Sequence, residues 1–86
     1  MPEISRFFGI VIAMYYNDHD PPHFHARYGS RKAKILIDPP TLIDGDLPPR
    51  ALGMAMEWAA LHRDELLENF AAIMAHRAPR KIEPLN

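Results

Sequence analysis

The sequence predicts an α+β fold: a small antiparallel sheet of three to four strands, followed by one long or two shorter C-terminal helices packed on one face. Three observations predict it. Residues 7–46 fall into short runs rich in β-branched and aromatic residues, cut by Pro, Gly, Asn and Asp. From Arg50 to about His76 the only glycine or proline is Gly53, and apolar residues recur at helical spacing. The strand-like segments all come before the helical ones, an order that gives a sheet with helix on one side. With 86 residues, the chain makes a single domain, 1–86.

The elements follow in order. Phe7–Tyr16 is uncharged and alternates little, so it reads as one strand buried on both faces. Asn17–Pro22 is a turn cluster by composition. His23–Tyr28 alternates, which puts Phe24, Ala26 and Tyr28 toward the core and His23, His25 and Arg27 on the exposed face. Gly29-Ser30 signals a tight turn. In Arg31–Asp38, Ala33, Ile35 and Ile37 alternate with Lys32, Lys34 and Leu36. Pro39-Pro40 stops that strand, and Thr41–Ile43 is a short fourth strand ended by Asp44-Gly45-Asp46. Leu47-Pro48-Pro49 places proline in a first helical turn. Leu52, Met56, Ala59, Leu66, Phe70 and Ile73 or Met74 then trace an apolar stripe, with Ala55, Trp58 and Leu61 beside it. A break near Leu61–Asp64 would let Asp64 cap a second helix, and Pro79 ends the helical part.

Composition excludes several classes. Hydrophobic residues make up 48% of the chain, enough for a core, though a domain this short buries little surface. A formal net charge of −1 argues against a strongly basic nucleic-acid binder and leaves room for a local basic patch. Without cysteine there are no disulfides and no thiolate chemistry. Residues 1–6 lack the pattern of a secretory leader, and the apolar stretch 7–16 is too short for a membrane span. The expectation is a cytoplasmic protein with no membrane partner.

The chemistry concentrates in Asp18-His19-Asp20-Pro21-Pro22-His23-Phe24-His25. Three of the five histidines fall within seven residues there. The i, i+2 spacing of His23 and His25 puts both rings on one face of a strand. His19 lies four residues upstream, across a Pro-Pro that stiffens the link. Imidazole moves protons near neutral pH and ligates metals, and the residues leave both readings open.

In the proton-transfer reading, His23 and His25 are acid and base for metal-independent RNA cleavage, with no cofactor, and His19 orients the site. Arg27, Lys32 and Lys34 hold phosphate, because the hairpin brings them onto the same face. Arg27, Arg31, Lys32 and Lys34 put four cations into eight residues. In the metal reading, His19, His23 and His25 ligate zinc or another divalent metal with one position open for water, and Asp18 or Asp20 orients a ring from behind. In a third reading the chain is a non-enzymatic interaction module whose helix docks a partner or a second copy, giving a homodimer. His62, Glu57 and His76 are weaker signals: His62 and Glu57 sit on the helix near Trp58, and His76 suits a helix C-terminus.

The chain also resembles a small bacterial family, domain of unknown function 4160. The matching residues are Ile4–Ile10, Met14-Tyr15-Tyr16, Asp18–Ala26, Gly45–Pro48, Glu57-Trp58, His62, Glu65-Leu66 and Lys81–Leu85. Phe70 stands where a tryptophan is expected, and Pro39-Pro40 stiffens the turn before Thr41. The resemblance implies the toxin side of a two-gene toxin–antitoxin module, with a small antitoxin-like partner from a neighbouring family of unknown function (the 2442 family). By analogy with other small toxins it implies RNA as the target and a ribonuclease as the enzyme class.

Overall fold

The computed structural model describes residues 2–86. Its sheet has five strands rather than the three to four expected. They are β1 (Glu3–Phe7), β2 (Ile10–Ala13), β3 (His23–Tyr28), β4 (Arg31–Ile37) and β5 (Pro40–Gly45). Each pairs antiparallel with the next, in the order β1-β2-β3-β4-β5. Two helices follow, α1 (Pro49–Leu61) and α2 (Arg63–Met74).

The extra strand is β1, which lies ahead of the apolar run 7–16 and shares only Phe7 with it. That run is not one strand. It folds back at Phe8-Gly9, with Phe7 paired to Ile10 across the turn. Both turn residues have positive φ, 49° at Phe8 and 81° at Gly9. Positive φ at both central positions matches the right-handed twist of a hairpin. Glycine adopts it without cost, whereas a phenylalanine there is uncommon. Phe8 is accordingly pushed out into solvent, 60% exposed.

The later turns fall where the punctuation put them. Gly29-Ser30 joins β3 to β4, with Tyr28 opposite Arg31. At Asp38-Pro39 the chain reverses instead of stopping, and Pro40 opens β5 opposite Ile37. Gly45 closes β5 at a φ of 72°, and a Cβ there would collide with the Lys32 carbonyl oxygen.

One face of the sheet carries the core. Ile4, Phe7, Ile10, Ile12, Phe24, Ala26, Ala33, Ile35 and Ile37 are buried in one cluster with Ala51, Ala55, Trp58, Leu66, Phe70 and Ile73 of the helices. Trp58 is its centre. Its ring lies 5.3 Å from Phe7 and 5.9 Å from Phe24, and its Nε1–H donates to the Glu83 carbonyl at 2.8 Å. Tyr28, expected in the core, is 38% exposed at the end of β3. The helical half divides at His62, which ends α1 and precedes α2. Asp64 lies inside the first turn of α2 rather than at its cap, where with Glu65 it complements the helix dipole.

The segment after α2 is tied back across the sheet edge. The Asn69 side chain donates to the Arg80 carbonyl at 2.8 Å and accepts from the Arg80 N–H at 2.9 Å. Ile82 is buried, and its N–H donates to the Ile4 carbonyl at 3.0 Å. Among the described residues, no helix is long and apolar enough to cross a membrane.

Candidate metal centre

The loop from β2 to β3 folds around Asp18. The Asp18 N–H donates to the Tyr15 carbonyl at 2.9 Å. In return the Tyr15 N–H donates to Asp18 Oδ2, also at 2.9 Å. This pair closes a tight turn and fixes the carboxylate, whose side chain is 8% exposed. Its other oxygen, Oδ1, faces β3. There it lies 3.0 Å from His25 Nε2 and 3.5 Å from His23 Nε2.

His23 and His25 share a face of β3, as their spacing requires, with ring centroids 5.1 Å apart. Their environments differ. His23 is 4% exposed, against the expectation that both imidazoles lie in solvent. Phe70 of α2 packs 5.6 Å from its ring, so the helix covers the start of the strand. His25 sits farther along, with its side chain 24% exposed and its ring edge-on to Tyr15 at 4.5 Å.

The tautomer of His23 follows from its partner. His23 Nδ1 lies 2.8 Å from the Pro21 carbonyl oxygen. A carbonyl only accepts, so Nδ1 carries a proton, and in the neutral ring Nε2 then presents a lone pair. That Nε2 is buried and has no hydrogen-bond partner. A bare lone pair therefore points at a carboxylate oxygen, with nothing between them. Leaving a buried acceptor unsatisfied costs about 1–3 kcal/mol.

The three groups meet. Asp18, His23 and His25 each offer one ligand atom, all within 4.8 Å of one another. Bonds of about 2.0–2.2 Å at tetrahedral angles put ligand atoms about 3.3–3.5 Å apart. The Asp18–His23 separation already suits that geometry. His25 is nearer than a shared metal would leave it, because it hydrogen-bonds Asp18.

Charge balance favours neutral imidazole beside an ionised carboxylate. Burial pushes the His25 pKa down, and with the Lys34 charge it outweighs the Asp18 hydrogen bond and charge that raise it. Burial alone would raise Asp18. The Tyr15 N–H and the His25 hydrogen bond outweigh it and hold the carboxyl below its ordinary value. A deprotonated carboxylate and a neutral imidazole, as at Asp18 and His25, are the forms that bind metals.

A family model described as Domain of unknown function (DUF4160) matches residues 9–71. The chain belongs to that family. The DUF4160 match runs from Gly9 in the first turn into α2, so it contains Asp18, His23 and His25. No curated protein and no solved structure matches the chain.

The remaining predicted residues of this DUF4160 chain divide. Arg27 and Lys32 line a cleft of about 200 Å³ with Val11, Ala13, Tyr15, Ala26 and His25. Lys34 stands opposite His25 in the strand register. His19, predicted to complete the histidine cluster, is exposed and does not converge with His23 and His25; it lines a shallow hollow with Asp18, Tyr16, Met74 and His76. His62 is also apart, its Nδ1–H donating to Glu65 at 2.6 Å. The acid that joins the histidines is Asp18, which the sequence offered only as an orienting neighbour. Its signal was its place in the turn: an Asp three residues after Tyr15 can bond back to the backbone and so be held rigid.

Proposed function

We propose that this protein binds a divalent transition metal such as zinc through Asp18 Oδ1, His23 Nε2 and His25 Nε2. The observation that carries the reading is His23 Nε2, a buried lone pair with no partner, 3.5 Å from a buried carboxylate oxygen. A cation between them satisfies both groups at once. Two imidazoles and a carboxylate are a zinc-type donor set, and three protein ligands leave a coordination position free for water or substrate. The proton on His23 Nδ1, held by the Pro21 carbonyl, fixes the ring with Nε2 inward, the usual arrangement of a ligating histidine. His25 borders the cleft, so an open position reaches solvent on that side.

The Asp18–His25 hydrogen bond of 3.0 Å favours a second reading, in which His25 is a general base oriented by Asp18. The paired acid–base mechanism on His23 and His25 has less support. A ring that is 4% exposed, with Nδ1 committed to the backbone, does not reach a substrate. In the toxin-side role that the family resemblance implies, this site would be the active part of the molecule.

Metal analysis of untagged protein purified without chelator tests the proposal. It expects close to one equivalent of zinc or a similar ion, a zinc-dependent rise in melting temperature, and loss of both in His25→Ala. Negligible metal together with a melting temperature indifferent to zinc refutes it and leaves the general-base reading.

A further inference from the structure

We infer that the cleft beside His25 is an oxyanion subsite that takes a phosphate ester as the ligand of this centre. The inference rests on the metal reading for the ligand's role as substrate; the subsite itself rests on other residues. Register lines up one cross-strand row on the face of the sheet opposite the core. Arg6 stands opposite Val11, Val11 opposite Arg27, and Arg27 opposite Lys32. The next row places Ala13 opposite His25 and His25 opposite Lys34. Val11 and Ala13 are short, so they form a floor between longer side chains, and Arg27, Lys32, Tyr15 and His25 make the walls.

Among the described residues, Arg27 and Lys32 in the cleft make no close ion pair, whereas Lys34 stands opposite Asp44 in the strand register. Arg6 is bound to Glu3 at 2.8 Å, and Arg31, at the turn, faces Asp46 at 3.7 Å. Like charges directly opposite on neighbouring strands destabilise a sheet, so Arg27 facing Lys32 is a local cost that folding does not require. An anion between them removes it. The planar guanidinium of Arg27 can bond two oxygens of one anion, and Lys32 adds a point charge. Two cations on one cleft suit a dianion better than a singly charged carboxylate. With Lys34 opposite His25, the charge continues to the metal ligands, so a phosphoryl group held here lies beside the open coordination position.

The test is inorganic phosphate titrated into zinc-loaded and zinc-free protein, followed by the backbone amide signals. Phosphate should move the signals of Val11, Ala13, Tyr15, Arg27 and Lys32. Arg27→Ala or Lys32→Ala should weaken binding about tenfold, the loss of one charge-assisted contact, while zinc stoichiometry stays at the wild-type value. Arg31→Ala, outside the cleft, should bind phosphate normally. A mononucleotide and a short single-stranded RNA serve as parallel probes. Arg27-dependent binding of the first identifies a free ester, and binding of the second alone identifies a nucleic-acid backbone; either supports the subsite. Phosphate binding that is absent at millimolar concentration, or unchanged in both variants, overturns the inference while leaving the metal centre standing. Arg27-dependent phosphate binding by a protein that takes up no zinc does the reverse, upholding the subsite and refuting the metal reading.

Discussion

Replacing His23 with leucine separates a metal ligand from a structural histidine. The substitution roughly keeps the volume and removes two polar atoms of opposite value. Loss of the Nδ1–H bond to the Pro21 carbonyl costs about 0.5–1.5 kcal/mol. Loss of the unpartnered Nε2 removes a penalty of about 1–3 kcal/mol. Together they place metal-free His23→Leu between about 2.5 kcal/mol more stable and about 0.5 kcal/mol less stable than metal-free wild type. The metal-bound comparison should look different. Zinc at 100 times its dissociation constant stabilises the folded state by about 2.7 kcal/mol. In a domain of this size that raises the melting temperature by about 10–20 °C. His23→Leu should show no such rise. The assay is thermal denaturation of both proteins, in chelator and in graded zinc. A metal-free variant more than about 3 kcal/mol less stable than wild type would mean that the ring is a structural fixture. A zinc shift of full size in the variant would mean that His23 is no ligand. Either result refutes the reasoning.

The remaining predictions follow from the same geometry. Trp58→Ala should cost about 3–5 kcal/mol in urea unfolding, since the ring is fully buried and its N–H is bonded to Glu83; a loss under about 1 kcal/mol would contradict its central place in the core. Gly45→Ala should cost more than about 2 kcal/mol, because positive φ and the Lys32 carbonyl both oppose a Cβ. Gly29→Ala, with open space around it, should lose only the roughly 1–2 kcal/mol of the left-handed conformation, and equal losses at the two sites would refute the steric argument. In chelator, stability should decline as pH falls below 6.5: the folded state depresses the His25 pKa, so the unfolded chain binds that proton first. His25→Ala should flatten that part of the profile, and an unchanged slope would refute the assignment. Expressed without a partner, the wild type should slow bacterial growth, and His25→Ala at matched soluble level should relieve it; equal toxicity would detach the site from that role.

Much of the architecture was legible because its signals are local. Gly29-Ser30 between two alternating runs marks a hairpin by itself, and the stripe through Leu66 and Phe70 marks a helix by itself. The first hairpin was not legible. Its turn is carried by a phenylalanine with positive φ, and apolar residues on both sides hid the boundary. The shared face of His23 and His25 followed from a period of two. The burial of His23 did not, because alternation gives the side of a strand and not what covers it, and here the cover is Phe70, 47 positions later in the chain. Asp18 was read as orienting a ring but not as a ligand beside the histidines, for the same reason. Its reach depends on how the loop folds back, which composition does not specify. Tyr28 shows the limit of alternation at a strand end, where the side is right and the core has already run out.

The strap formed by residues 80–82 has a consequence for the order in which the molecule is completed. β1 is synthesised before the other strands and both helices, yet its outer edge accepts a hydrogen bond from Ile82, 78 residues further along. Such a contact closes late, because the ends of a long loop must meet before it is rewarded. Until then the nascent sheet presents an open edge, the surface through which chains join one another. Asn69 holds Arg80 by two bonds and so shortens the final search from the length of the chain to a few residues. A chain that loses Asn69 should therefore betray itself during production, as clumped protein at high expression, before any weakness is evident in the finished molecule.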